Sequence, residues 1–179
     1  MKVSLKRIAI LLGCAVAAAL FASCTKAPEG ETGTPASATA EYAVSVNDEM
    51  LEALVVTVEY YDSDGSLKTE NLTGPWAKRV EPRLPAFIGA RIRFAVKDDF
   101  DPSESETIRL AYGLSVTGHL FTAEGAKLSN DISYSNASTK TIKTDRLAEW
   151  VSRFAGNGVF GVLYYVSPGD DRIGTPDWE

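Results

Sequence analysis

Four side chains suit recognition of a ligand better than any others in the chain: Trp76, Arg79, Arg91 and Arg93. Trp76 follows Gly74-Pro75 in a proline-punctuated stretch that also carries Lys78, Arg79 and Arg83, and the stretch reads as loop. Arg91, Arg93 and Lys97 fall on the polar positions of the strand pattern that follows. In a chain with 24 Asp and Glu against 18 Lys and Arg, this basic stripe stands apart. A guanidinium group grips an acidic group through two parallel hydrogen bonds, and an indole stacks on a sugar ring or anchors a partner. Together they suit an acidic glycan or a loop of a partner protein. The same residues also admit a plain structural reading, with Trp76 packed on its own sheet and the arginines paired with nearby carboxylates.

Other chemistry is thinner. His119 is the only histidine, and it shares the polar positions of its strand with Ser115 and Thr117. No Gly-x-Ser-x-Gly motif or free thiol frames it, so it reads as a half-exposed polar residue rather than a catalytic base. One histidine is too few for a usual zinc site. In Asp62-x-Asp64-Gly65 the glycine comes too early for a calcium-binding EF-hand loop, and a turn is the better reading. Asp98, Asp99, Asp101, Glu104 and Glu106 crowd around Phe100 and Pro102. Oxygen ligands at that density can hold calcium weakly, but a solvated acidic loop accounts for them as well. No two carboxylates are singled out for glycoside hydrolysis. The sequence therefore assigns no catalytic residue, no metal and no cofactor.

The elements that carry these residues have a period of two. Tyr42, Val44 and Val46 alternate with smaller or polar residues, as do Leu54–Tyr60, Ile88–Val96 and Ile108–Leu120. One apolar face per run is the antiparallel-sheet pattern. Asp62-Ser63-Asp64-Gly65 and Glu124-Gly125 mark hairpin turns. Val159–Val166 is apolar on both faces and reads as a central strand. One helix is expected from about Asp145 to Ala155, because Leu147, Trp150, Val151 and Phe154 fall at i, i+3, i+4 and i+7. Gly156 offers it a left-handed C-terminal cap. The sum is a mainly β domain: a single antiparallel β-sandwich, Greek-key and immunoglobulin-like, of roughly seven or eight strands plus the short helix. A small closed β-barrel is the alternative.

The N-terminus carries a different message. Lys2, Lys6 and Arg7 precede an apolar run from Ile8 to Phe21, which ends in Ala22-Ser23-Cys24. A positive start, an apolar core too short to span a bilayer and small residues at its end make a secretory signal peptide. The ending Leu20-Phe21-Ala22-Ser23-Cys24 resembles the lipobox of bacterial lipoproteins, although Phe21 departs from the usual Leu. The resemblance covers residues 1–24 only. It implies removal of residues 1–23 and acylation of Cys24, which would account for a lone cysteine in an exported chain. Thr25 stands where Asp would mark retention in the inner membrane. The resemblance thus implies the outer membrane of a Gram-negative cell envelope, facing the periplasm or the surface.

Removing the signal leaves 156 residues, with 15 basic against 24 acidic side chains and a net charge of −9. Such a chain is a poor partner for nucleic acid. Residues 24–40 contain nothing large and apolar, and read as a lipidated flexible tether; the sandwich is expected over 41–179. The expected function is that of a lipid-anchored, non-catalytic binding module of the cell envelope, which meets the membrane through its lipid and holds a glycan or an envelope protein. The alternative is an accessory subunit of a surface assembly that exchanges strands at a sheet edge, and a hydrolase ranks third.

Overall fold

The computed structural model describes residues 33–156, 159–170 and 172–178. The expected signal segment 1–23, Cys24 and the first part of the expected tether lie outside the described residues.

Among the described residues, nine strands make two antiparallel sheets: β1 (Ser37–Val46), β2 (Leu54–Tyr61), β3 (Leu67–Leu72), β4 (Trp76–Val80), β5 (Ala86–Val96), β6 (Thr107–Phe121), β7 (Ile132–Lys143), β8 (Phe160–Val166) and β9 (Ile173–Gly174). A four-stranded sheet has the order β4-β1-β6-β7, and a five-stranded sheet the order β3-β2-β5-β8-β9. The two sheets stay separate and pack as a sandwich, so the closed barrel is set aside. The chain crosses repeatedly between sheets, which is why β1 lies between β4 and β6 rather than beside β2.

The alternation works as the sequence predicts. Tyr42 and Val44 of β1, Leu54 to Tyr60 of β2, Ile88 to Phe94 of β5 and Ile108 to Leu120 of β6 supply the buried face through their even-numbered positions. Asp62–Gly65 turns β2 into β3, with Gly65 at φ 77°, a left-handed conformation that favours glycine. Its Asp64 carboxylate accepts the Ser66 backbone N–H at 2.9 Å, as a turn aspartate does.

Several expectations need correction. The first strand starts at Ser37, four residues before Glu41, and Ala38 and Ala40 are buried within it. Small side chains can fill a tight inter-sheet space, so the scarcity of large apolar residues there hid a strand. Trp76 to Val80 is strand β4 and not loop: Trp76, Lys78 and Val80 pair with Val44, Tyr42 and Ala40. A second helix, α1 (Asp48–Ala53), links the sheets and buries Met50 and Ala53. The long strand β7 escapes a pattern search because it is an edge strand of Ser, Thr, Asn and Lys. The predicted helix is a 3₁₀ turn, Thr144–Arg146, followed by α2 (Leu147–Gly156). Gly156 is helical and lacks the positive φ expected of a left-handed cap. Trp150 is half-buried rather than enclosed. Together with Phe154 it closes one end of the sandwich against Phe94, with centroid distances of 5.4 and 4.7 Å.

Candidate functional site

The structure scatters the four residues that the sequence grouped. Trp76 points into the gap between the sheets at the β3–β4 edge. Its ring lies 5.1 Å from that of Tyr60, and its indole N–H donates to Glu70 Oε2 at 2.9 Å. Arg79 stands on the outer face of the four-stranded sheet, 3.6 Å from Glu41. Arg91 and Arg93 stand on the outer face of the other sheet, on the odd-numbered positions of β5. Only these two meet. Both donate to the Glu59 carboxylate of β2, Arg93 Nε at 3.0 Å. Register explains the meeting: Glu59 lies opposite Arg91, and Thr57 opposite Arg93. Burial pushes Glu59 upward, but the hydrogen bonds from Arg91 and Arg93, and then their charges, outweigh it and hold the carboxyl below its ordinary range.

Beside this ion cluster lies a strip of rings that the sequence did not reveal. β5 and β8 place Phe87 opposite Tyr165, with centroids 5.2 Å apart. Tyr61, at the end of β2, is 5.2 Å from Phe87 on the other side. These rings step across three adjacent strands of one face. Phe87 and Tyr165 are 38% and 39% exposed, among the most exposed large apolar side chains described. Outward aromatics at strand positions reserved for polar residues were the available signal, and they also account for the two-sided apolar look of β8. That strand sends Leu163 and Tyr165 outward, and its only described neighbour beyond is the two-residue β9. Gly161 lets β8 approach Arg91, because a Cβ there would stand 2.7 Å from the Arg91 Cα.

The C-terminal segment completes the face. Residues 175–178 cross it from β9, and Trp178 stacks on Tyr61 at 5.8 Å and 28°. The Arg91 guanidinium lies 4.6 Å from the centre of the Trp178 ring, a cation–π distance. Arg91 is 7% exposed as a result of this company, whereas the Arg93 side chain remains 56% exposed.

Comparison with family models, with curated proteins and with solved structures finds no match.

The remaining sequence candidates lie elsewhere. His119 is on the outer face of the four-stranded sheet, its Nδ1 3.0 Å from Asp131, whose other oxygen takes Lys127 at 2.9 Å. The acidic loop joins the end of α1 around a recess of about 360 Å³ lined by Glu49, Glu52, Asp99, Asp101 and Glu104. Asp170 ends the described stretch 159–170, and Asp171 lies outside the described residues. Among the described residues, no group of His, Cys, Asp and Glu side chains is arranged to hold a metal ion.

Proposed function

We propose that the chain is a lipid-anchored, non-catalytic binding module of the bacterial cell envelope, and that it holds a glycan on the outer face of the β3-β2-β5-β8-β9 sheet. The observation that carries this reading is the step of rings Tyr61, Phe87 and Tyr165, the last two exposed, beside the Glu59–Arg91–Arg93 cluster. Rings spaced about one sugar apart on one sheet face suit the C–H faces of successive pyranoses, while Arg93 supplies donors at the edge of the strip. Arg93, whose side chain is 56% exposed, offers its charge at the edge of the strip to a glycan bearing acidic groups. Glu59 is held ionised by its partners, which makes it a poor general acid and supports binding over hydrolysis. The lipid anchor rests on the pattern from Lys2 to Cys24. Among the described residues, no helix is long and apolar enough to cross a membrane.

The test is a panel of neutral and uronic-acid oligosaccharides against the full chain purified in detergent. Binding of at least one acidic member is expected, and its loss in Phe87→Ala/Tyr165→Ala with the fold intact. A double variant that binds every hit as tightly as wild type places the site elsewhere. For the anchor, Cys24→Ala is expected to leave the membrane fraction, and wild type to take up labelled palmitate; failure of either removes the lipid from the proposal.

One observation favours the accessory-subunit reading. β9 pairs only with Tyr165 and Val166, so most of the outer edge of β8 has no ladder partner among the described residues. An incoming strand could add there. Deleting the tail after Val166 would then change self-assembly measured by sedimentation, and no change counts against exchange.

A further inference from the structure

We infer that residues 175–178 form a displaceable strap over the glycan-binding face, with Trp178 holding the place that a ligand takes. The inference rests on the reading of that face given above and adds its regulation.

The path of the chain is the first argument. β9 lies at one edge of the sheet and Tyr61 on β2, three strands away. At roughly 4.8 Å per strand that span is about 14 Å, and four extended residues reach about 13 Å. The backbone alone does not reach β2, so the Trp178 side chain covers the last of the distance, and residues 175–178 join no strand ladder among the described residues. Among the described residues, the segment's only regular attachment is the pair of β9 register positions, Tyr165↔Gly174 and Val166↔Ile173.

The second argument is the quality of the docking. Trp178 Nε1 is buried and has no hydrogen-bond partner among the described residues. A buried donor without an acceptor weakens the contact that buries it. Thr175, Pro176 and Asp177 are exposed along the way. A short segment with exposed residues along its way, no strand ladder and one unmet donor is the kind that opens locally while the rest of the fold stays intact.

The third argument is what lies beneath. Trp178 occupies the angle between Tyr61 and Arg91, where the ring strip meets the ion cluster. A sugar ring stacked on Tyr61 above Arg91 would fill the same volume, with the exposed Arg93 beside it for an acidic group. The indole thus mimics a ligand, with one aromatic face for the sugar ring and none of its hydrogen bonds. An oligosaccharide that reaches this position must displace it. Its apparent affinity falls by the fraction of time the strap is open.

The test uses the full chain in detergent and a hexamer of galacturonic acid as probe. Two variants remove the occupant: Trp178→Ala, and a chain ending at Gly174. Both are expected to bind the hexamer about tenfold more tightly than wild type if the strap is docked nine-tenths of the time. In wild type labelled with 5-fluorotryptophan, the Trp178 fluorine resonance, assigned through Trp178→Phe, is expected to move to a solvent-exposed position at saturation. If wild type binds the hexamer but both variants bind it equally or less well, the strap is not a competitor and the site reading stands. An unmoved Trp178 resonance at saturation overturns the strap in the same way. If neither wild type nor the variants bind the hexamer, the acidic-glycan reading and the strap fall together.

Discussion

The indole N–H of Trp76 and the hydroxyl of Tyr60 converge on one carboxylate, Glu70, at 2.9 and 2.5 Å. Trp76 on β4 is thereby fastened to β3 of the opposite sheet, and Lys78 lies 5.7 Å from the Tyr60 ring centre beside it. This is the seam that closes the open edge of the sandwich. Burial, with the Glu70 hydrogen bond and charge adding to it, pushes the Tyr60 hydroxyl well above the ordinary tyrosine range. A tryptophan that the sequence offers to a ligand is here a cross-sheet fastener.

Trp76→Ala should therefore lower stability without touching ligand affinity. Truncating a fully buried tryptophan costs about 3–5 kcal/mol. Trp76 is half-buried, so about 2–3 kcal/mol is expected from urea denaturation. Trp76→Phe keeps the ring and loses the bond to Glu70, at about 1 kcal/mol. A neutral Trp76→Ala contradicts the seam.

The strand phase of β6 is tested by neighbours. Leu114 is buried between the sheets and Ser115 faces out. Leu114→Ala should cost about 2–5 kcal/mol by denaturant titration, and Ser115→Ala well under 1 kcal/mol. Equal, small effects at both positions contradict the inward assignment.

The buried halves of β1, β2, β5 and β6 were legible because each strand has one dry face and one wet face, so period two survives in the residue types. β7 was not legible because an edge strand keeps Ser, Thr and Lys on both faces. β4 was not legible because Gly74-Pro75 next to a short amphipathic run looks like loop, and only its ladder to β1 makes it strand. At the candidate site, Arg91 and Arg93 were legible as a stripe, while their shared carboxylate depends on cross-strand register. Trp178 lies in a tail without periodicity, and its contact with Tyr61 is purely tertiary.

The aromatic closure of the sandwich depends on α2. Trp150 and Phe154 meet Phe94 and Tyr112, and Phe160 is 5.0 Å from Tyr112. A helix of ten residues is marginal alone and draws its stability from this apolar stripe. Trp150→Ala should destabilise the domain by about 2–4 kcal/mol, somewhat below the cost at a fully enclosed site, and should abolish much of the near-ultraviolet circular dichroism. Glu149→Ala, whose partners Arg146 and Arg153 are exposed with it, should leave stability nearly unchanged. A harmless Trp150→Ala would detach α2 from the core.

Acid provides the sharpest test of the Glu59 cluster. The folded carboxyl is held below its ordinary value, near 4.3 in an unfolded chain. Its contribution to stability is therefore complete above that value and is lost as pH falls through the lower folded value. Glu59→Gln removes the pH-dependent part and takes this carboxylate from Arg91, which is nearly buried. Breaking an enclosed pair from one side costs about 3–5 kcal/mol; with Arg93 largely exposed, about 1–3 kcal/mol is expected at neutral pH. Denaturant titrations of wild type and Glu59→Gln at about pH 7 and about pH 3.5 isolate the effect, because every other carboxylate titrates in both proteins. The gap between the two should narrow in acid. A gap that stays constant or widens would mean that Glu59 is not held ionised, and its part in positioning Arg93 beside the rings would have to be assigned anew.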